Sequence, residues 1–303
     1  MPTPPLSEQD TRFYDAGRLV AHGRALHELA TAPAATTRQH AGTPLMPGAR
    51  LGLLAGSFNP PTLAHQTLAA AGLDAGGLGT VWYALSTRTV DKEVVSGACL
   101  EDRLLMLDLL TADDHRQGVL LVNRGLYVDQ ARLVRAAFPA VGEIVFLVGF
   151  DKIVQIFDPR YYEDRDAALT HLFALVTFLV APRGTDEAPA LAALLAQPEN
   201  RPFAAAVLPL SLPQQLRAVA SSSIRGSFNR GNRADGTLDA DTHEEADTHA
   251  SMPPAVAQFV AATGVYADDT RYRRRCDIIA EAVQAAPSSP AELARYGERL
   301  RAV

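Results

Sequence analysis

Short apolar runs recur along the chain, each separated from the next by enough residues to form a helix. They fall at 51–55, 81–85, 119–122, 144–148 and 175–180, and most end at Gly, Ser or Asn. Runs of this length without polar alternation have the pattern of strands buried on both faces. Amphipathic stretches separate them, notably 101–110 and 129–138, and a further helix begins near Thr62. Strands alternating with helices predict βαβ units and right-handed crossovers. The fold class is therefore α/β, a doubly wound parallel sheet with helices on both faces.

The flanks read differently. Residues 1–9 contain three prolines and predict a loose tail. A helical period through Leu19, Val20, Leu26 and Leu29 runs from about Asp10 to Ala32. Residues 33–48, rich in Ala, Thr and Pro, predict a linker. Residues 226–252 carry Gly, Asn, Asp, Glu and His with little apolar content and predict a mobile polar loop. A short helix over 254–263 and a polar helical tail from about Thr270 close the chain. The expected organisation is an N-terminal tail, helix and linker (1–48), a core domain (49–269) and a C-terminal helical extension (270–303).

Composition narrows the partners. The 303 residues are 48% hydrophobic and 20% charged, ordinary for a globular chain. A net charge of −6 argues against nucleic acid or an anionic membrane as the main partner, yet a mononucleotide needs only a few placed cations. Cys99 and Cys276, far apart in sequence, suggest neither a disulfide framework nor a metal cluster and fit a reducing compartment. With no run of 18 apolar residues, the expectation is a soluble, cytoplasmic or nuclear protein. Assembly into a homo-oligomer is left open.

The most informative segment is Gly56-Ser57-Phe58-Asn59-Pro60-Pro61-Thr62-Leu63-Ala64-His65, directly after the first core strand. Gly56 permits a close backbone approach, and Pro60 and Pro61 preset a turn, so a helix starts just beyond them. Thr62 and His65 lie three apart, on one face of the first helical turn. A hydroxyl, an imidazole and open backbone N–H groups then surround one point at a helix N-terminus, a natural phosphate site. The plain alternative is a strand–turn–helix with a solvated histidine. Far downstream, Ser221-Ser222-Ser223-Ile224-Arg225 sets small hydroxyl residues beside a guanidinium fork suited to phosphate oxygens. Alone, such a run is often only a helix cap.

Together, in this order, the two segments resemble the paired signatures of the nucleotidyltransferase superfamily, whose first motif is His or Thr, two residues, then His. Gly-Ser-Phe-Asn-Pro is particularly similar to nicotinamide/nicotinate mononucleotide adenylyltransferases, which implies a Rossmann-like fold. The resemblance covers about 50–266. Within it, Gly149-Phe150-Asp151 is similar to the family's Gly-x-Asp element, whose Asp contacts a ribose; a helix N-cap at Asp151 is the alternative. Arg183, Lys92 and Arg103 resemble family basic residues, and for Arg103 a structural ion pair is an equal candidate. Ala220, Ser222 and Arg217 depart from the pattern. Tyr161 and Tyr162 stand where nicotinamide-specific relatives carry tryptophan, and Asp-Pro-Arg-Tyr-Tyr (158–162) is similar to a divergent branch known among fungal proteins.

The resemblance implies AMP transfer from ATP to a mononucleotide, with Mg²⁺ accompanying ATP and no dedicated metal cage. His65, Lys92 and Arg225 are the expected catalytic residues. Gly56, Ser57, Phe58, Asn59, Thr62, His65, Gly149, Asp151 and Ser221 to Arg225 are expected to bind ATP. Ser57, Phe58, Lys92, Tyr161, Tyr162 and Arg183 are expected to bind the mononucleotide. Two other readings compete: an adenylyltransferase for another phosphorylated acceptor such as phosphopantetheine, and a non-catalytic nucleotide-binding or regulatory protein on the same scaffold.

Overall fold

The computed structural model describes residues 11–88, 97–181, 187–211 and 251–303. The five apolar runs form strands β2 (Arg50–Gly56), β3 (Thr80–Ser86), β4 (Gln117–Val122), β5 (Glu143–Gly149) and β6 (Val176–Ala181), all mutually parallel. Two more strands complete a seven-stranded sheet in the order β1-β4-β3-β2-β5-β6-β7. β1 (Thr37–Ala41) lies within the segment expected to be a linker and pairs antiparallel with β4. Its sequence, Thr-Arg-Gln-His-Ala, has no apolar run because an edge strand is covered on one side only. Asn123, fully buried, explains its docking: its Oδ1 accepts from Thr36 N–H at 2.8 Å, and its Nδ2 donates to the Leu29 and Ala34 carbonyls. β7 (Val207–Pro209) is a three-residue edge strand beside β6.

The helices are α1 (Ala16–Thr31), α2 (Leu63–Asp74), α3 (Leu100–Thr111), α4 (Tyr127–Ala137), α5 (Phe150–Phe157), α6 (Arg165–Phe173), α7 (Glu187–Ala196), α8 (Pro254–Thr263), α9 (Asp269–Ala285) and α10 (Pro290–Arg301). Successive strand residues point to opposite faces, and the core divides accordingly. Leu54, Tyr83, Leu121 and Leu147 meet α1, α2 and α3, whereas Leu53, Trp82, Leu120 and Phe146 meet α4, α5, α6 and α7. The sheet is thus doubly wound with helices on both faces, as the alternation predicted. No described helix is long and apolar enough to cross a membrane.

A third apolar cluster joins the chain's two ends. Phe13, Tyr14 and Leu19 pack with Val256, Phe259, Ile279 and Leu300 on the outer side of α3. This corrects the amphipathic reading of 101–110. Leu104 and Leu107 face the sheet while Leu105 and Met106 face the terminal helices, so α3 is buried on two sides. It also buries Asp102 completely, where Arg275 of α9 meets it with a two-pronged ion pair. The two cysteines, distant in sequence, meet in this layer, where the hydrogen bond with Cys276 and then burial push the Cys99 thiol pKa up.

Candidate active site

Strand order reverses between β2 and β5, since β3 and β4 lie to one side and β6 to the other. Their ladder ends at Leu53↔Phe146, although β2 keeps pairing with β3 to Gly56↔Leu85 and β5 with β6 to Gly149↔Ala181. The carboxyl ends of the two central strands therefore part. That is the crevice in which doubly wound sheets bind ligands, and both Gly56 and Gly149 stand at its edge.

The turn after β2 is built from the inside. Phe58 has φ +46° and turns its ring into the core, only 1% exposed, edge-on to His65 at 5.3 Å and to Tyr83 at 5.6 Å. A Cβ on Gly56 would stand 3.1 Å from that ring, so this glycine first of all makes room for Phe58. Asn59 is fully buried, and its Oδ1 accepts from Ala98 N–H at 3.0 Å and from the Tyr266 hydroxyl at 2.8 Å. Gly97, φ +105°, fits beneath because a Cβ there would meet Tyr266 at 2.7 Å and Asn59 at 2.8 Å. The Phe58 and Asn59 side chains, expected to meet the nucleotide, are turned inward and frame the turn. Ser57 is exposed at the strand end.

Thr62 caps α2. The backbone N–H of His65 donates to Thr62 Oγ1 at 3.4 Å, and the Thr62 N–H donates to His65 Nδ1 at 3.0 Å, a reciprocal capping box. Thr62 Oγ1 also lies 2.8 Å from Nδ1. Because Nδ1 accepts a backbone N–H, the neutral ring carries its proton on Nε2. The open amides expected at this helix start are largely occupied: the Leu63 N–H donates to the Ser251 carbonyl at 3.0 Å, and that of His65 is held by Thr62.

Across the crevice, Gly149 is the N-cap of α5, so Asp151 is not the cap but an exposed carboxylate in the first turn. Tyr161 and Tyr162 separate in role. The Tyr162 hydroxyl donates to the Ile156 carbonyl at 2.7 Å and its ring packs on the core, whereas Tyr161 is 37% exposed. Arg103 is not a surface cation. It is buried with Nε donating to the Ala98 carbonyl at 2.7 Å, and its neighbour Asp102 pairs with Arg275. Lys92, Arg183, Arg217, Ala220 and Ser221, Ser222, Ser223, Ile224 and Arg225 lie outside the described residues, as does most of the 226–252 loop. The supporting roles of Tyr266 and Gly97 had no signal in the sequence, because both act through contacts between segments far apart along the chain.

A separate open cleft of about 680 Å³ runs beside α5 and α6. Five carboxylates line it (Asp158, Glu163, Asp164, Asp166 and Glu199) against one cation, Arg165, a balance that disfavours phosphate.

No protein-family model matches this chain. A chain of Gloeobacter violaceus provisionally named a nicotinate-nucleotide adenylyltransferase is 27% identical over 227 residues, covering 72% of this chain and 97% of the relative. A Schizosaccharomyces pombe chain provisionally named a nicotinamide mononucleotide adenylyltransferase is 31% identical over 115 residues, 37% of this chain and 44% of its own length. The chain thus spans less than half of the yeast relative and nearly all of the bacterial one. Among solved structures, a Plasmodium falciparum nicotinic acid mononucleotide adenylyltransferase complexed with NaAD superposes with a TM-score of 0.52 at 14% identity, over 72% of this chain and 97% of that one. This chain is a relative of the nicotinate- and nicotinamide-nucleotide adenylyltransferases. The Plasmodium structure supports the fold alone. The bacterial relative is covered almost end to end, so the likeness extends well beyond the Gly56–His65 turn.

Proposed function

We propose that the chain transfers AMP from ATP to nicotinamide or nicotinate mononucleotide, giving NAD or its deamido form and pyrophosphate. The observation that carries this is the turn at the strand-order reversal, where Thr62 and Phe58 hold the His65 ring in one orientation and one tautomer. A phosphate oxygen of the mononucleotide attacks the α-phosphorus of ATP. The bond from that phosphorus to the bridging oxygen breaks, and its electron pair leaves with pyrophosphate. No covalent enzyme intermediate is needed, so catalysis is alignment plus stabilisation of spreading negative charge. His65 donates from Nε2 toward the α-phosphate. Lys92 and Arg225, with the Ser221 to Ser223 hydroxyls, neutralise the remaining phosphate charge, and Mg²⁺ accompanies ATP. Asp151, at the start of α5, accepts from ribose hydroxyls, and Tyr161 offers a ring face to the pyridine.

The direct test incubates the purified chain with ATP, Mg²⁺ and each mononucleotide in turn, following pyrophosphate and dinucleotide together. Both are expected only when the acceptor is present. ATP binding with no pyrophosphate from any acceptor would leave the non-catalytic reading in its place.

The two tyrosines make a sharper prediction. Tyr161→Ala should weaken mononucleotide binding by about 1 kcal/mol, the scale of one aromatic pair, with ATP affinity unchanged. Tyr162→Phe loses the bond to Ile156 and should lower stability by about 1 kcal/mol without affecting either affinity. Isothermal titration beside thermal unfolding reads both. Loss of ATP affinity in Tyr161→Ala would show the pocket to be reversed.

A further inference from the structure

Away from the crevice, α1, β1 and α3 bring His22, His40 and Asp108 together so that one ligand atom from each lies within 4.8 Å of the others. His22 Nε2 is 3.0 Å from Asp108 Oδ2, and His40 Nε2 is 3.1 Å from Asp108 Oδ1. Metal–ligand bonds of about 2.0–2.1 Å at tetrahedral angles place neighbouring donor atoms about 3.3 Å apart, close to both separations. The His22 and Asp108 side chains are only 3% and 8% exposed, while that of His40 is 19% exposed. The cluster is therefore deep on two sides and reachable by solvent on the third.

Two details distinguish this cluster from an ordinary polar network. Asp108 Oδ1 is buried and faces the His40 Nε2 at 3.1 Å without the alignment of a good hydrogen bond, an unusual condition for a carboxylate oxygen. His22 meets an acceptor at each ring nitrogen: its Nδ1 lies 3.4 Å from the Glu101 carbonyl and its Nε2 faces the Asp108 carboxylate. A neutral imidazole has one N–H, so one of its lone pairs would point at an oxygen. A second ring proton or a cation between Nε2 and the carboxylate removes the conflict; with a cation, Nδ1–H donates to Glu101 as ligating histidines usually do to a carbonyl. The Arg18 guanidinium, 2.7 Å from Oδ2, orients the carboxylate and leaves Oδ1 for the ion. Its charge opposes a dication, so binding should be weaker than at a closed four-ligand site.

We propose that His22, His40 and Asp108 form a zinc site, with solvent in the fourth position, that fastens the N-terminal helix and edge strand to α3. Two imidazoles and one carboxylate suit zinc far better than magnesium, which takes oxygen donors. The ion would be structural and separate from the Mg²⁺ that accompanies ATP.

The test uses the full chain, stripped with chelator and titrated with ZnCl₂ in excess Mg²⁺, with retained metal measured after gel filtration. One zinc per chain is expected, together with a rise in the thermal midpoint. His40→Gln, at the most exposed ligand, should weaken zinc binding at least tenfold while the apo protein keeps its circular dichroism. Arg18→Met should bind zinc at least as tightly, whereas in a purely ionic network that variant would only lose stability. Cobalt(II) in place of zinc should show the visible bands of a four-coordinate ion, absent in His40→Gln. Failure to retain zinc, its release by Mg²⁺, or equal retention by folded His40→Gln would overturn the proposal, and adenylyltransferase activity is not needed to read any of these outcomes.

Discussion

Replacing His65 with alanine is expected to lower turnover by about a hundredfold or more, the scale of losing one preorganised donor, while hardly changing the Michaelis constant for ATP. The reason lies in when the contact forms. Charge builds at the α-phosphate only as the new bond forms, so a donor aimed there acts mainly in the transition state and its loss appears in kcat. Arg225, which we assign to the outgoing phosphates, meets charge present throughout, and Arg225→Ala should raise the Michaelis constant with a smaller loss of turnover. His65 has a second task, because its Nδ1 accepts the Thr62 N–H. Alanine therefore also removes the reciprocal half of the capping box, at a cost of about 1 kcal/mol, while Thr62 Oγ1 keeps its bond to the residue-65 amide. His65→Gln separates the two. Glutamine at this helical position can complete the capping box but supplies no imidazole. Its stability should approach that of the parent while turnover stays low. Near-normal turnover in a folded His65→Ala protein would end the assignment.

What the sequence revealed and what it concealed follow one physical line. The five central strands are buried on both faces, so they had to be nearly continuous apolar runs, and each was legible. The turn was legible because Gly56, Pro60, Thr62 and His65 act on neighbours within a few residues. β1 was missed because an edge strand can be polar, and its docking depends on Asn123, more than 80 residues away. The inward roles of Phe58 and Asn59 were missed for the same reason: their partners Tyr83, Ala98 and Tyr266 come from other elements. Side chains that read as ligand contacts in a linear motif can thus be the frame that shapes the motif. Tyr266, just before α9, reaches Asn59, and Tyr272 of the C-terminal extension accepts the Cys99 N–H at 3.0 Å. The segment from Gly97 to Cys99 therefore hangs between the turn and the C-terminal helices.

That suspension depends on one buried ion pair, and cutting it should produce the largest loss of stability. Asp102 is fully buried and Arg275 is 2% exposed. Arg275 donates Nε to Oδ2 at 2.9 Å and Nη2 to Oδ1 at 2.7 Å, the fork geometry of a strong pair. The Tyr272 hydroxyl donates to Oδ2 at 2.7 Å, and Arg275 Nη2 also reaches the Phe13 carbonyl at 2.9 Å. The guanidinium lies over the Tyr14 and Phe259 rings within the apolar layer. Asp102→Asn keeps the shape and removes the charge, leaving a buried cation uncompensated, which costs about 3–5 kcal/mol. For a chain of this size that lowers the thermal midpoint by roughly 5–10 °C. Asp102→Asn combined with Arg275→Met removes both charges. It should recover a large part of the loss, because a buried pair matters more when half of it remains than when both partners are absent. Loss of the clamp should also expose the Ala98 amide, which is tied to Asn59, to faster hydrogen exchange than amides of the central strands. Strictly additive single and double variants, or a single variant costing less than about 1 kcal/mol, would show that apolar packing alone holds the terminal helices to α3.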